Sequence, residues 1–332
     1  MRSDQVSRGP TPHSRIFLPF FAALVVSATL LLSCGGTVGS SSNTGGGSPA
    51  PSPQTGTPKV VVVVEENKAY TDVIGNPTMP FLNSLATKYG LATAYYADDH
   101  PSLPNYFVLT TGQPVVMHTE TYNIPPGGFS GDNIVRSLTA AGKTWKSYAE
   151  SLPSVGYLGG DQYPYIQHHN PSVMFSDVIS DPAEQQNIVP LTQLATDLAA
   201  GNLPDYSFVV PNNQDNSHDC PAGQSTCNMD QTLANADTWL QNNLGPVLND
   251  ANFQKNGLLF IVYDESNSDD TAHGGGHVAC VLAGGLVKPG YQSAILYQHE
   301  SLLRTALKVL GITTYPGAAA TAPDMSEFLT TQ

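Results

Sequence analysis

One segment sets the fold class of this 332-residue chain: Val60-Val61-Val62-Val63-Val64-Glu65-Glu66-Asn67. An unbroken run of β-branched side chains is typical of a strand that is buried on both faces of a parallel sheet. Acid and amide side chains begin where the valine run ends. The sequence therefore predicts a buried strand whose last residues lead directly into polar, chemically useful groups.

Further segments continue this pattern of buried strands and helices. Helical spacing of apolar residues, often with Pro at the start or Gly after the end, predicts helices at 80–89, 133–141 (capped by Asp132), 191–200, 229–243 and 300–310. Short apolar runs predict strands at 144–148, 206–210 and 258–263. Such alternation predicts an α/β fold, with a mostly parallel sheet and helices on both of its faces.

Three of the predicted strands run into polar residues. These residues are Glu66-Asn67, His218-Asp219 and Asp264-Glu265. Ligands in open α/β sheets bind beyond the carboxyl ends of the strands, so we expect the three pairs to converge on one site. Each pair alone also fits an ordinary solvated loop, since loops are polar in general.

A fourth candidate lies in His100-Pro101-Ser102-Leu103-Pro104-Asn105-Tyr106, just before an apolar, helix-like run to Gly112. The position of Ser102 before Pro104 predicts a helix cap, where free backbone N–H groups stabilise anions. Ser102 is therefore the candidate nucleophile. The alternative is a helix cap with no further role.

Histidines in the loops add candidates for proton transfer. The long segment 157–176 is rich in Gly, Tyr, Pro and His and contains His169, and loops of that length are often functional. His169 and His218 are predicted to hydrogen-bond a phosphate or to protonate a leaving alcohol. A lone loop histidine is more often simply solvated. His273 and His277 flank three glycines, which predicts a tight turn with His277 facing the pocket.

The net charge of −14 argues against nucleic acid or an anionic membrane surface as a partner, because both require basic patches. A carboxylate-rich site also repels phosphate unless a bound cation reverses the local field. We expect a divalent cation such as Ca²⁺, Mg²⁺ or Mn²⁺ with oxygen ligands. The predicted ligands are Glu66, Asn67, Asp264 and Glu265, with Ser102 as the fifth.

The first 58 residues are predicted to serve export. Residues 1–33 combine arginines with an apolar run and resemble a bacterial lipoprotein signal, which implies a lipid on Cys34. An ordinary secretory signal is the alternative. Residues 34–58 are predicted to be a flexible tether and 59–332 a single domain, with membrane contact only through the lipid. Loss of residues 1–33 removes three arginines and one aspartate, which changes the net charge from −14 to −16.

In an exported chain, the short spacing between Cys220 and Cys227 favours a disulfide, and Cys280 lies in the apolar run 278–282 as a buried thiol. An esterase is a further interpretation, since His273-Gly274-Gly275-Gly276 is similar to an esterase oxyanion loop. We reject it as the first choice because no G-x-S-x-G motif is present. The nearest match, Gly128-Phe129-Ser130-Gly131-Asp132, lacks the last glycine.

Taken together, these motifs resemble the phosphoesterase family of bacterial and fungal acid phosphatases and phospholipases C, which has an alkaline-phosphatase-like fold. The matching motifs are Glu66-Asn67, His100-Pro101-Ser102, Pro104-Asn105-Tyr106, His169-Asn170-Pro171, His218-Asp219 and Tyr263-Asp264-Glu265. The resemblance implies that Ser102 accepts the phosphoryl group and that the four acid and amide residues bind the metal. It also implies that His169, His218 and Asp219 meet the substrate or the leaving group.

The acid phosphatase branch is the most similar, because phospholipase C members are longer and usually have Thr at the nucleophile position. The expected function is metal-dependent hydrolysis of a small phosphorylated substrate, as an acid-phosphatase-type monoesterase. Two alternatives stay open: a phospholipase C-type phosphodiesterase, and a non-catalytic surface lipoprotein that binds a cation or a phosphorylated ligand. The oligomeric state is left open.

Overall fold

A computed structural model describes residues 56–119, 125 and 127–330. The predicted signal peptide 1–33, Cys34 and all but the last residues of the tether 34–58 lie outside these ranges, so export and lipid anchoring stay predictions. Among the helices of the described residues, none combines the length and the apolarity needed to cross a bilayer.

Eight strands form one sheet. They are β1 (Lys59–Glu65), β2 (Gly90–Ala92), β3 (Trp145–Ala149), β4 (Ile188–Pro190), β5 (Tyr206–Val210), β6 (Gly257–Tyr263), β7 (Cys280–Ala283) and β8 (Tyr291–Ser293). Their order across the sheet is β4-β3-β5-β1-β6-β7-β2-β8. Only β7 runs antiparallel to its two neighbours, and every other neighbouring pair is parallel. The predicted, mostly parallel sheet is confirmed.

The valine run has the environment that its composition predicts. Strand β1 lies between β5 and β6, and Val60 to Val64 are each at most 1% exposed. Because helices cover both faces, neither side of the strand meets water and no polar alternation is needed. Full burial of each valine contributes about 1.5–3 kcal/mol relative to an exposed one.

The α-helices are α1 (Tyr70–Val73), α2 (Pro80–Lys88), α3 (Ser102–Thr111), α4 (Ile134–Ala140), α5 (Ser176–Ile179), α6 (Pro182–Gln185), α7 (Thr192–Ala199), α8 (Met229–Asn249), α9 (Phe253–Asn256) and α10 (His299–Val309). Short 3₁₀ helices span Gln167–His169, Pro171–Met174, Gly317–Ala320 and Ser326–Phe328. Helix α8 contacts α2, α7 and α9, whereas α10 contacts α3 and α4. Because Val60 to Val64 alternate between the two faces of β1 and are all buried, both faces of the sheet are covered, as predicted.

Several boundaries differ from the sequence prediction. Helix α4 is capped by Asn133, whose side chain accepts a hydrogen bond from the Arg136 N–H, so the prediction of Asp132 as the cap was wrong. Helix α8 continues through Pro246 to Asn249, because Val247 and Leu248 are buried and their packing outweighs the lost backbone hydrogen bond. Strands β2, β4 and β8 were not predicted, since three residues are too few to show a period.

The cysteines follow the prediction. Cys220 and Cys227 form a disulfide with Cα atoms 5.5 Å apart. Cys280 is a buried free thiol at the start of β7.

Candidate active site

The carboxyl ends of three adjacent strands form the floor of the candidate site. Backbone hydrogen bonds connect the residues that follow β1, β5 and β6: the Glu66 N–H donates to the Asn216 carbonyl (2.8 Å), and the Asp264 N–H donates to the Glu65 carbonyl (2.9 Å). The Asn67 N–H donates to Asp264 Oδ1 at 3.0 Å. The structure thus brings the predicted acid and amide residues together, as the parallel sheet requires.

Ser102 lies over this floor as the first residue of α3. Pro101 occupies the cap position in an extended conformation, so the prediction that Ser102 is the cap was wrong by one residue. The Ser102 hydroxyl is only 3% exposed and donates to Glu66 Oε2 (2.9 Å) and Glu265 Oε1 (3.0 Å). The positive end of the α3 dipole is therefore next to a hydroxyl that two carboxylates can deprotonate.

Tyr106 is a further residue of the site, and no role was predicted for it from the sequence. Its hydroxyl donates to Glu66 Oε1, and His169 Nε2 lies 3.2 Å from the same oxygen. The His169 ring stacks on the Tyr106 ring, with centroids 5.0 Å apart and planes 12° apart. The available signal was the spacing from Ser102, because residues four apart in a helix lie on one face.

Burial dominates the electrostatics of the floor. Burial, and after it the charge of Asp264, raises the pKa of Glu66 well above its ordinary value. Burial also raises the pKa of Asp264 and lowers that of His169 well below its ordinary value. Two ionised carboxylates buried side by side cost folding free energy unless a cation compensates their charge. The lowered pKa of His169 makes its ring neutral near pH 7.

The donor set fits a divalent cation by its chemistry. Asn67 Oδ1 and Asp264 Oδ2 are buried oxygens without a hydrogen-bond partner, and hard divalent cations bind such oxygens. Across the described ranges, no three His, Cys, Asp or Glu side chains stand in metal-binding geometry. The predicted ligand set differs from such a group, because it includes an amide and a hydroxyl beside its carboxylates. The glutamates of this set accept hydrogen bonds from neighbouring side chains. Glu66, Asn67, Asp264 and Glu265, with Ser102, are the residues that would hold the ion.

Two more histidines hold the acids from outside. His100 Nδ1 contacts Glu265 Oε2, and its Nε2 lies 2.9 Å from the Asp270 carbonyl oxygen. His299 Nε2 lies 2.7 Å from the Asp264 carbonyl oxygen, and burial lowers the pKa of His299 to about 4. The first contact orients the Glu265 carboxylate, and the second fixes the backbone at Asp264.

His218 and Asp219 form a pair at the rim of the site. His218 Nδ1 lies 2.8 Å from Asp219 Oδ1, and the two side chains are 43% and 34% exposed. Burial raises the pKa of Asp219, but hydrogen bonds from His218 and Asn213 outweigh it, so that the pKa is lowered overall. The pair is therefore an ionised carboxylate beside an accessible imidazole.

A cleft of about 380 Å³ opens above these groups. It is lined by Asn67, His100, Pro101, Ser102, Ile166, His168, His169, Asn213, His218, Glu265 and Ser268. The cleft brings together Ser102, His169 and His218, whereas Glu66, Asp264 and Asp219 do not line it. No Lys or Arg belongs to this lining. Among the lining side chains, the groups able to donate hydrogen bonds to a phosphate are imidazoles, the hydroxyls of Ser102 and Ser268, and the amides of Asn67 and Asn213.

His277 does not line the cleft, so the prediction that it faces the pocket was wrong. Its ring stacks against Tyr70 and Tyr96, with centroids 4.3 and 4.8 Å away. The glycines before it allow a close backbone approach, since a Cβ on Gly275 would lie 2.5 Å from the Asp99 carbonyl oxygen. This segment packs beside the residues that precede Ser102, which explains its glycines without an oxyanion loop.

The sequence matches the phosphoesterase family over residues 76–313. It is 31% identical over 268 residues to a phosphatidylinositol-3-phosphatase of Mycobacterium tuberculosis, and the match covers 81% of each chain. It is 27% identical over 248 residues to an acid phosphatase of Aspergillus fumigatus, a match that covers 72% of this chain and 51% of that protein. The chain thus spans about half the length of the fungal relative.

Among solved structures, a protein of the alkaline phosphatase superfamily from Vibrio parahaemolyticus has a similar fold. The TM-score is 0.55 with 12% sequence identity, and the match covers 78% of this chain and 67% of the other. At this identity the likeness concerns the fold alone. It confirms the predicted alkaline-phosphatase-like architecture.

Proposed function

The chain belongs to the phosphoesterase family and is a phosphoric ester hydrolase, and we propose that it is an acid-phosphatase-type monoesterase with Ser102 as its covalent nucleophile. One observation carries the proposal: the buried Ser102 hydroxyl donates to two carboxylates while it lines the cleft. Both relatives described above are named as phosphatases, which favours a monoesterase over a phospholipase C-type phosphodiesterase.

Attack begins at Ser102 Oγ. As its bond to phosphorus forms, the hydroxyl proton passes to Glu66 Oε2 or Glu265 Oε1, which already accept hydrogen bonds from it. The N-terminus of α3 stabilises the negative charge that develops on the oxygen. The product of this step is a phosphoserine at position 102.

A divalent cation of the Ca²⁺, Mg²⁺ or Mn²⁺ type, held by Glu66, Asn67, Asp264, Glu265 and Ser102, would supply the positive charge that this acidic site needs to bind phosphate. Neighbouring side chains hold two of these carboxylates in place. Tyr106 and His169 hold Glu66 from one side, while His100 holds Glu265 from the other.

His218 is the proton donor for the leaving alcohol in this proposal. It lines the cleft, is accessible, and has an ionised carboxylate on its other nitrogen. Once it has lost its proton, it can accept one from the water that hydrolyses the phosphoserine. His169 instead contributes a hydrogen bond, because burial keeps its ring neutral.

The experiment is mass spectrometry of enzyme quenched at low pH during turnover of a phosphate monoester. We expect phosphate on the peptide that contains Ser102, and a loss of activity on the order of 10³-fold or more in Ser102→Ala. Ser268→Ala removes another hydroxyl of the cleft and should still form the phosphopeptide. An unmodified peptide with near-normal activity in Ser102→Ala would instead indicate direct attack by water. Parallel assays with a phosphodiester and with phosphatidylcholine test the monoester preference.

A further inference from the structure

Asp219 is held by three neighbouring residues, His218, Asn213 and Tyr163. One carboxylate oxygen, Oδ1, lies 2.8 Å from His218 Nδ1. The other, Oδ2, accepts hydrogen bonds from Asn213 Nδ2 at 2.9 Å and from the Tyr163 hydroxyl at 3.1 Å. Its backbone N–H donates to the Asn213 carbonyl at 2.9 Å. Three side-chain contacts thus orient the carboxylate and one backbone contact anchors the residue, which is not among those that line the cleft.

This arrangement selects the nitrogen of His218 that can do chemistry. Because Nδ1 is occupied by Asp219, Nε2 is the ring nitrogen left for the cleft. The same contact also fixes the tautomer and the direction of the ring, as a carboxylate partner does for a catalytic histidine. The orientation of the ring therefore depends on the groups that hold Asp219.

Tyr163 is the unexpected member of this group. It comes from the loop before the Gln167–His169 helix, and it is 60% exposed although its hydroxyl is engaged by Asp219. The Tyr163 hydroxyl donates a hydrogen bond to the Asp219 carboxylate, just as the Tyr106 hydroxyl donates one to Glu66.

We propose that Tyr163 is a positioning residue for His218, acting through Asp219, and that this chain of contacts adapts the enzyme to phosphate monoesters of aliphatic alcohols. The inference rests on the proposed function and names its substrate class. An alkoxide is a poor leaving group and needs a proton as the bond breaks, whereas a nitrophenolate leaves without one. A site with a dedicated, oriented proton donor matches the first kind of substrate.

The proton balance of the reaction is complete within these residues. The Ser102 Oγ–P bond forms, the P–O bond to the alcohol breaks, and the alcohol oxygen takes the proton from His218 Nε2. The Ser102 proton goes to Glu66 or Glu265. In the second step a water oxygen bonds to phosphorus and its proton goes to His218 Nε2, while the Ser102 oxygen leaves and recovers its proton from the carboxylate.

The test compares Tyr163→Phe with wild type on glycerol phosphate and on 4-nitrophenyl phosphate. We expect kcat/KM to fall about tenfold for the alkyl ester and less than about twofold for the nitrophenyl ester, since a positioned acid contributes about 10²–10⁴-fold in all. Tyr157→Phe is the matched control. It removes a hydroxyl of the same loop that donates to the Gly160 carbonyl (3.0 Å), and it should leave the ratio of the two rates unchanged.

A double-mutant cycle makes the result specific. In an Asp219→Asn background, Tyr163→Phe should have no further effect on the alkyl ester, because its path to His218 is already broken. Equal losses on both esters, or losses that add in the double variant, would overturn the proposal. If Ser102 is not the nucleophile, the phosphopeptide will be missing and the Ser102→Ala enzyme will be active. That outcome does not depend on the ratio of alkyl to nitrophenyl rates in Tyr163→Phe.

Discussion

Two pairs of one histidine and one carboxylate lie at the same cleft, in opposite surroundings. The side chains of His169 and Glu66 are 4% and 0% exposed, and those of His218 and Asp219 are 43% and 34% exposed. Each carboxylate also accepts a hydrogen bond from a tyrosine, Tyr106 in the first pair and Tyr163 in the second. Each pair thus combines a histidine, a carboxylate and a supporting tyrosine, and the two pairs differ in their access to water.

Water access gives the pairs different chemistry. Burial raises the pKa of Glu66 and lowers that of His169, because a charged group loses hydration in the interior. Hydrogen bonds lower the pKa of Asp219, so the exposed carboxylate stays ionised beside its histidine. We infer that the buried pair positions a metal ligand, and that the exposed pair carries the proton of the leaving group.

The largest expected effect comes from removing the proposed cation from the buried side. Chelator treatment should lower turnover by more than about 10³-fold and lower the Tm, because an ion that binds only the folded state stabilises it by about 2.7 kcal/mol at 100 times its Kd. Activity and thermal unfolding before and after dialysis with chelator measure both effects. Chelated protein with full activity and an unchanged Tm would remove the metal from the mechanism.

Variants of the two sides sharpen this result. Asp264→Asn should lose activity that excess divalent cation partly restores, since it weakens one ligand of the site. Asp219→Asn should show no such rescue, because it lies on the exposed side. Rescue of both variants by cation would contradict the division of roles between the pairs.

A smaller effect is expected from exchanging the histidines themselves. His218→Gln should lose about 10²-fold in kcat/KM on an alkyl phosphate and much less on a nitrophenyl phosphate, because only the alkoxide needs the proton. His169→Gln should reduce kcat/KM for both substrates by a similar factor, since a neutral ring beside Glu66 donates no proton to the leaving group. Assays of both variants on both substrates decide this, and a leaving-group preference in His169→Gln would reverse the assignment.

The smallest effect concerns stability and pH at the exposed pair. A carboxylate whose pKa is lowered on folding contributes stability above its unfolded pKa of about 3.9, and this stability is lost as the pH falls through the lowered value. Because the pair is partly exposed, the contribution of Asp219 should stay below about 1 kcal/mol. Urea unfolding of wild type and Asp219→Asn should differ at pH 7, and the difference should shrink at pH 3. An equal difference at both values would exclude ionisation of Asp219 as its source.

Much of the architecture was predictable because it depends on local patterns. The valine run predicted β1, and short apolar runs predicted β3, β5 and β6 to within one or two residues. The polar pairs after β1, β5 and β6 were predicted to converge, and the strand order β5-β1-β6 makes them neighbours. The family resemblance rested on the same motifs.

The sequence by itself thus determined the fold class, the family and the residue types of the site, since hydrophobic periodicity and strand-end motifs are properties of short segments. Only the tertiary structure decided which His–carboxylate pair is buried, which tyrosine supports each carboxylate, and that His277 stacks on Tyr70 instead of facing the cleft. Tyr163 and Asp219 are 56 residues apart along the chain. Contacts over that distance, and the loss of hydration that shifts a pKa, arise from packing between segments, and no local pattern encodes them.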